Sequence, residues 1–338
     1  MVNIVKPGYR IWAVALFVIM TVFFLTVFKI HPVYSENPEE LMKDIQMTTE
    51  RLQAHLRELT VTIGDRSVHV PKNLKRAAEY IEAFYQKIGL RVHRETYQFH
   101  NLTVANVVAE ISFSDNPGKR FILGAHYDSV AGTVGADDNA SAIAVQLETA
   151  RQLKAIEGRE QLDLTVRFVS FALEEPPVYG TQHMGSRVYA LKAWQTKEQI
   201  DGMICLEMVG YTCHEPGCQR YPFPLMFFGY PKEGNFIGIV GNFKSRPFMR
   251  SLFEAFKQNR NLPVIKQTVP LGGYILPSVR LSDHAPFWDR GYSAVMVTDT
   301  AFYRNPNYHL RSDTMEKLDY SFMSELVKSL LLFFRSHR

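Results

Sequence analysis

Cysteine is scarce in this chain of 338 residues, which contains only three, and this scarcity argues against a metal site built from several thiolates. Cys213 and Cys218 flank Glu-Pro-Gly, a sequence that favours a turn and lets two thiols meet. In an oxidising compartment we expect them to form a small loop disulfide. A zinc pair with His214 is the alternative, which we disfavour because no further cysteine is near. Cys205 lies in an apolar run and is predicted to be a buried small hydrophobe.

A strong excess of charge is also missing, because the formal net charge is only +4. Basic residues are scattered and mixed with acidic ones, unlike the clustered basic surface of a nucleic-acid-binding protein. We therefore expect no nucleic-acid partner. The chain shows no internal repeats and no low-complexity segment. Its hydrophobic content of 46% and charged content of 21% are typical of a folded globular protein.

The first part of the chain contains a long run without charge, glycine or proline, at residues 11–28. Its length is at the short end of what spans a bilayer, and the preceding Lys6 and Arg10 favour a cytoplasmic N-terminus. A cleaved signal peptide is the alternative, which we disfavour because no clear cleavage site follows. Both interpretations place the remainder outside the cytoplasm, on the periplasmic or extracellular side, membrane-anchored or, after cleavage, secreted. We predict a cytoplasmic N-terminus at 1–10, a transmembrane signal anchor at 11–28, a linker at 29–40 and one folded domain at 41–338.

Strand-like and helix-like segments alternate through the rest of the chain. One predicted strand leads to His126, and the others lie at residues 91–99, 104–113, 162–173, 200–209, 236–240 and 294–297. Helices are predicted at residues 39–59, 72–88, 140–156, 186–194, 248–256 and 320–334. This alternation predicts an α/β fold, a three-layer α/β/α sandwich with a mixed, mostly parallel central sheet.

The richest cluster of polar residues lies between Arg120 and Gln146. An apolar run leads to His126-Tyr127-Asp128, and a glycine-containing loop then delivers Asp137-Asp138-Asn139 before an Ala-rich helix. Open α/β sheets bind ligands at the carboxyl ends of their strands, where these side chains are expected. Histidine and carboxylate without thiolate suit zinc. Taken alone, the same residues are equally consistent with an ordinary loop pair and a helix cap.

Two further acidic motifs and one histidine also adjoin predicted strands. Glu174-Glu175 closes a strand, so that, if the strand continued, one carboxylate would face a metal and the other the substrate. Glu207 interrupts an apolar run, where a carboxylate is costly to bury unless it is paired or metal-bound. Tyr308-His309 follows a later strand. Each motif also has a structural alternative. Glu174-Glu175 would be a solvent-facing strand end, Glu207 would form a salt bridge, and His309 would be a surface histidine.

Together these motifs resemble those of the co-catalytic di-zinc aminopeptidase family. Its relatives include bacterial leucyl aminopeptidases, glutamate carboxypeptidase and the glutaminyl cyclases. The resemblance covers roughly residues 75–335. The matching motifs, in chain order, are His126-Tyr127-Asp128, Gly135-Ala136-Asp137-Asp138-Asn139, Glu174-Glu175, Leu206-Glu207-Met208 and Tyr308-His309.

The resemblance implies a set of metal ligands for two zinc ions per chain. Asp138 would bridge the two ions and be followed by a strained peptide to Asn139. His126 and Glu207 would complete one zinc site. Glu175 and His309 would complete the other.

The resemblance also implies two catalytic residues. Asp128 would accept a proton from the His126 ring and fix its tautomer. Glu174 would act as the general base that takes a proton from a metal-bridging water and passes it to the leaving amine. The implied function is a zinc-dependent aminopeptidase that hydrolyses N-terminal residues from peptides. Its expected partners are peptide substrates, and its expected membrane contact is made by the N-terminal helix.

The chain departs from the family pattern in several places. Glu175 is followed directly by Pro176-Pro177, where many relatives have a glycine-containing turn. Glu207 occupies a position where aspartate is common, and Leu310 follows His309 where the family often has threonine. In a further family-like segment, Asp283-His284, the aspartate is predicted to cap a helix and the histidine to support the site or contact substrate without binding metal.

Two other functions fit the same motifs. A glutaminyl-peptide cyclotransferase would use a single zinc ion and intramolecular attack, whereas the Asp137-Asp138-Asn139 motif and five candidate ligands favour two metals. A non-catalytic binding ectodomain on a peptidase fold is the alternative from another class. Such relatives lose metal ligands, whereas all five ligand positions and Glu174 are present here.

Overall fold

A computed structural model of the chain describes residues 38–222 and 229–338. The predicted membrane anchor at residues 11–28 lies outside the described residues. No helix in the described ranges combines the length and the apolar character needed to cross a membrane. One compact unit spans residues 44–338.

An eight-stranded sheet forms the centre of this unit in the described residues. In chain order its strands are β1 (Arg91–Phe99), β2 (Leu102–Ser112), β3 (Lys119–His126), β4 (Leu164–Phe171), β5 (Gly202–Glu207), β6 (Ile237–Asn242), β7 (Val264–Val269) and β8 (Ala294–Thr298). Their spatial order is β1-β2-β4-β3-β5-β8-β6-β7. The pairs β4-β3, β3-β5, β5-β8 and β6-β7 are parallel, and the other three are antiparallel. The sheet is therefore mixed and mostly parallel, as predicted.

Helices cover this sheet on both faces because successive side chains along each central strand point to opposite sides. In β3, Leu123 packs into one apolar core and Ile122 into the other. The helices are α1 (Pro38–Arg57), α2 (Pro71–Lys87), α3 (Ala142–Ile156), α4 (Gly185–Gln195), α5 (Arg246–Phe256), α6 (His284–Asp289) and α7 (Tyr320–Arg335). The larger core takes buried residues from α1, α2, α3, α5 and α7, and the smaller core from α4 and α6. This arrangement is the predicted three-layer sandwich.

Strand β7 was not predicted from the sequence, and helix α6 was indicated only by the predicted cap at Asp283. Strand β7 lies at the edge of the sheet, where its side chains are mostly half-buried and its apolar signal is weak. Helix α6 has six residues and contains Pro286, so it is too short to show a helical periodicity. Neither element contributes a predicted metal ligand.

The direction of the central strands determines where polar side chains meet. Strands β4, β3, β5 and β8 are mutually parallel neighbours, so their carboxyl ends lie along one edge of the sheet. His126 is the last residue of β3, and Glu207 is the last residue of β5. The loop carrying Glu174 and Glu175 follows β4. This edge is the place expected for a ligand site in an open α/β sheet.

Candidate metal centre

His126 is the buried centre of the carboxylate cluster at this edge. Its side chain is fully buried, and neither ring nitrogen has a hydrogen-bond partner within the described residues. Its Nε2 atom lies 3.4 Å from Asp138 Oδ1 and 3.4 Å from Glu207 Oε2. Buried polar atoms are nearly always partnered, so an unpartnered imidazole among carboxylate oxygens points to a bound cation.

His309 approaches the opposite side of Asp138. Its Nε2 atom lies 3.2 Å from Asp138 Oδ2 and 3.4 Å from Glu175 Oε2. Unlike His126, this side chain is 30% exposed. The ring stacks on Tyr308 with 3.7 Å between centroids. His309 therefore sits at the solvent side of the cluster.

The candidate ligand atoms form overlapping groups of metal-binding size. We call His126, Asp138 and Glu207 the inner group, and Asp138, Glu175 and His309 the outer group. Within each group the ligand atoms lie within 4.8 Å of one another. Asp138 belongs to both groups. A third combination of this size joins His126 to Glu174 and Glu175.

The electrostatics of the cluster also fit a bound cation. Burial raises the pKa values of the Glu174, Glu175 and Glu207 carboxyl groups above their ordinary range. Burial would also raise the pKa of Asp138, but the neighbouring His126 and His309 rings lower it below its usual value. Several buried carboxylates repel one another when they are ionised, and a bound divalent cation offsets this repulsion. The set of nitrogen and oxygen donors suits zinc.

The peptide unit after Asp138 connects the loop to strand β5. The Asp138–Asn139 peptide bond is cis. Asn139 donates from Nδ2 to the Leu206 carbonyl at 3.1 Å and accepts from the Met208 amide at 3.0 Å. These two bonds flank Glu207, and they fix that carboxylate relative to Asp138.

Asp128 holds the backbone that carries the two glutamates. Its two carboxylate oxygens accept from the Glu174 and Glu175 amides, both at 3.0 Å. Its distance to His126 Nδ1 is 3.4 Å, longer than a well-formed hydrogen bond. The predicted contact with His126 is therefore close, but the main hydrogen bonds of Asp128 go to the backbone.

Glu174 and Glu175 do not continue strand β4, which ends at Phe171. Leu173 has a φ of 59°, and this left-handed residue turns the chain before the two acids. Because Asp128 accepts from both amides, these N–H groups point the same way, which extended backbone does not allow. The predicted opposite orientation of the two acids required the strand to continue through them, and this condition is not met. The Glu174 carboxylate nevertheless lies 3.9 Å from His126 Nε2.

Asp313 has the same role for the loop that carries Asp138, and sequence reasoning missed it. Its carboxylate accepts from the Asp137 amide at 2.9 Å and from the Asp138 amide at 3.1 Å. Asp137 in turn accepts from the Asn305 side chain at 2.7 Å, which connects this loop to the segment leading to His309. An isolated aspartate in a loop carries no sequence signal for such a contact.

The segment Ser282-Asp283-His284 is packed beside the site, and its details differ from the prediction. The Ser282 hydroxyl donates to Glu207, a contact the sequence did not indicate. Asp283 precedes α6 but makes no side-chain cap. His284 is buried, lies 2.7 Å from the Val279 carbonyl through Nε2 and packs edge-on against Trp288. Its contacts are therefore with the core rather than with the metal-ligand groups.

An apolar cavity of about 140 Å³ opens next to Glu207. Its lining includes the aromatic residues Tyr230 and Tyr303. Gly238 on β6 forms part of the wall and leaves space where a side chain would project. The cavity has the size of a benzene-binding protein cavity.

Cys213 and Cys218 form a disulfide, as predicted. This disulfide lies just before residues that line the cavity. The Cys213 backbone exchanges two hydrogen bonds with Gly234, each 2.9 Å long. Gln219 and Arg220, directly after the disulfide, line the cavity. Cys205 is buried, also as predicted.

The chain is similar in sequence to a known peptidase family and to several known proteins. The profile described as Peptidase family M28 matches residues 106–333. The chain is 38% identical over 291 residues to Uncharacterized protein YfbL of Escherichia coli (strain K12), covering 83% of this chain and 86% of that one. It is 26% identical over 254 residues to a probable zinc metalloprotease of Pyrenophora tritici-repentis, covering 67% of this chain. It spans about half the length of that fungal protein (50%).

Solved structures show the same fold at low sequence identity. The Legionella pneumophila LapA aminopeptidase superposes with a TM-score of 0.66 at 18% identity, covering 92% of this chain and 78% of LapA. The glutaminyl cyclase of Tannerella forsythia superposes with a TM-score of 0.61 at 17% identity, covering 86% of this chain and 99% of the cyclase. At these identities the likeness concerns the fold alone.

Proposed function

The chain belongs to peptidase family M28, a family of zinc peptidases, and on that premise we propose that it is an aminopeptidase that hydrolyses N-terminal residues from peptides. The family resemblance inferred from the motifs is thereby confirmed. The observation that carries the proposal is the shared position of Asp138 between the inner and outer groups. Two three-ligand groups that share one carboxylate suit a pair of zinc ions.

We assign the five ligands accordingly. His126 and Glu207 would hold one zinc ion, Glu175 and His309 would hold the other, and Asp138 would serve as a ligand in both groups. When bound, zinc lowers the pKa of water toward neutrality and polarises a carbonyl oxygen. Asp128 and Asp313 keep the ligand-bearing loops in place through paired backbone hydrogen bonds.

Glu174 is the proposed general base. It is buried, adjoins the ligand groups and is not needed as a ligand once those groups are assigned. Its carboxylate takes a proton from the attacking water and delivers that proton to the amine that leaves. Burial, which raises its pKa, makes the carboxyl group a stronger base.

The cavity beside Glu207 supports a preference for a large apolar N-terminal side chain. Its wall is formed mainly by aliphatic and aromatic residues, among them Ile239, Val240, Met296 and Tyr303. A branched aliphatic or phenyl side chain fits a volume of about 140 Å³.

Metal content and substrate choice together test this function. We expect the full-length protein to bind two zinc ions and to hydrolyse leucyl and phenylalanyl chromogenic substrates. Chelation should remove both the metal and the activity. One zinc ion, with conversion of N-terminal glutamine peptides and no hydrolysis, would identify a glutaminyl cyclotransferase instead. A folded chain that binds no metal would mean a binding protein.

We also propose that residues 11–28 anchor the chain in a membrane with the catalytic domain outside the cytoplasm. The disulfide between Cys213 and Cys218 supports this placement, because such bonds persist in oxidising compartments. Protease added to spheroplasts should degrade the catalytic domain, whereas without protease the protein should stay in the membrane fraction. Protection of the domain would contradict the proposed orientation.

A further inference from the structure

Arg66 is a fully buried arginine whose guanidinium is bound only by backbone carbonyls among the described residues. It lies between the helical turn Glu58–Ile63 and helix α2. Its donors reach the carbonyls of Tyr127 at 2.8 Å, Leu59 at 3.0 Å, Gly64 at 3.2 Å, Val134 at 2.7 Å and Gly135 at 3.0 Å. All three guanidinium nitrogens are thus used.

Three of the five carbonyls contacted by Arg66, those of Tyr127, Val134 and Gly135, lie at the two ends of the loop between two proposed metal ligands. Tyr127 directly follows His126. Gly135 has a φ of 49° and begins the turn that leads to Asp138. Gly135 is also crowded, because a Cβ there would meet the Asp138 carbonyl oxygen at 2.1 Å. One side chain therefore ties the two ends of this loop together.

The backbone around Arg66 reinforces the same loop. The Arg66 amide donates to Ser129 Oγ at 3.0 Å. Asp65 accepts from the Gly132 amide at 2.7 Å. The consecutive residues 65 and 66 thus contact the beginning, middle and end of the loop.

Arginine is specifically suited to this position. Its planar, rigid fork can satisfy several carbonyls in fixed directions, whereas lysine offers one flexible ammonium group. Burial lowers the pKa of Arg66 to about 10, so the side chain is still charged at neutral pH. Burying a charge is costly unless it is hydrogen-bonded, and each of the three guanidinium nitrogens of Arg66 donates to at least one carbonyl.

From this geometry we propose that Arg66 is a positioning residue for zinc, which holds His126 and Asp138 at the spacing the metal requires. The inference rests on the proposed ligand assignment. Arg66 lies before residue 106, where the match to the family profile begins. On this proposal, the segment around Arg66 supports the loop that carries the metal ligands, although it precedes the residues that match the family profile.

Zinc affinity of full-length Arg66→Lys, measured by competition with a chromogenic chelator, tests the inference. Loss of supporting contacts around a metal ligand weakens binding about 10- to 100-fold, and we expect a loss in that range. Asp65→Ala removes the contact to Gly132, together with a local hydrogen bond from the Ser67 amide at 2.8 Å, and leaves the arginine in place. We expect it to weaken zinc binding about two- to tenfold, as for the loss of the one hydrogen bond that reaches the loop.

Arg304→Lys is the matched control. Arg304 is also buried, and it donates to the Gln219 side chain and the Phe236 carbonyl, each at 2.9 Å. We expect this variant to lower the melting temperature of the zinc-free chain without changing zinc affinity. A comparable loss of zinc affinity in Arg304→Lys would show general destabilisation and overturn the inference.

Two further outcomes separate this inference from the proposed function. Wild-type protein that binds no zinc would defeat the proposed function itself. Wild-type zinc affinity in a folded Arg66→Lys variant would overturn only the role of Arg66. If Arg66→Lys does not fold, Asp65→Ala decides the question, because unchanged zinc affinity in that variant would contradict the positioning role.

Discussion

The inner and outer groups share Asp138 but are built in different ways. In the inner group, His126 and Glu207 end two neighbouring parallel strands, and both are buried. In the outer group, Glu175 and His309 lie on loops, and His309 is 30% exposed with a φ of 58°. The sheet fixes one proposed metal position, whereas loop contacts fix the other. We therefore expect the inner position to hold zinc more tightly and to exchange it more slowly.

Glu174 gives the largest expected effect, because it separates catalysis from metal binding in both groups. Glu174→Gln keeps the shape but removes the base. Hydrolysis should fall about 10²- to 10⁴-fold while zinc content is unchanged. Steady-state kinetics and metal analysis of the same preparation check this. Loss of one zinc ion would instead show that Glu174 is a ligand. Such a role is geometrically possible, because Glu174 also forms a group of metal-binding size with His126 and Glu175.

The two histidines test the comparison directly. His126→Ala should abolish zinc binding at the inner position, a loss of at least about 100-fold in affinity, because this imidazole is buried among carboxylates. His309→Ala should leave one tightly bound zinc ion. Isothermal titration of both full-length variants checks the difference. Equal losses would show that the two positions are not distinct in the proposed way.

The candidate ligand residues could be identified from the sequence, but the support around them could not. His126 and Glu207 lie at the ends of apolar strands, so a local pattern reveals them. Asp313 and Arg66 act through backbone groups far along the chain, and no local pattern marks such contacts. The turn at Leu173 was missed for the same reason, since it depends on Asp128. The predicted sheet was right in class, and its strand order came only from the tertiary structure.

The pH dependence of folding sharpens the comparison by separating the core from the metal centre. Burial lowers the pKa of His284 to about 4, below its value near 6.5 when unfolded. The unfolded chain therefore binds more protons between these values, and stability falls as pH decreases through this window. This residue should account for up to about 3 kcal/mol of that loss.

Urea unfolding of the zinc-free chain and its His284→Gln variant measures this contribution. The free energy of unfolding should fall less steeply with acidification in the variant, because no imidazole remains to be protonated on unfolding. Working without zinc keeps metal release out of the comparison. Identical pH dependence in both proteins would show that His284 titrates normally in the folded state.

The apolar cavity gives the smallest expected effect, which concerns substrate choice alone. A Cβ at Gly238 would meet the Thr298 carbonyl oxygen at 3.5 Å, an ordinary contact, so Gly238→Val fills the cavity without distorting β6. KM for leucyl substrates should rise about tenfold. Gly238→Ala is the control with a smaller change, and alanyl substrates should be less affected. An equal rise for alanyl and leucyl substrates would exclude this cavity as the side-chain pocket.

Zinc release from the full-length protein after addition of excess chelator tests the central claim most directly. We predict that two ions leave in two kinetic phases, and that His309→Ala removes the faster phase while preserving the slower one. This result would match an exposed outer position and a buried inner position. Release of a single ion per chain in one phase would contradict the two-position metal centre.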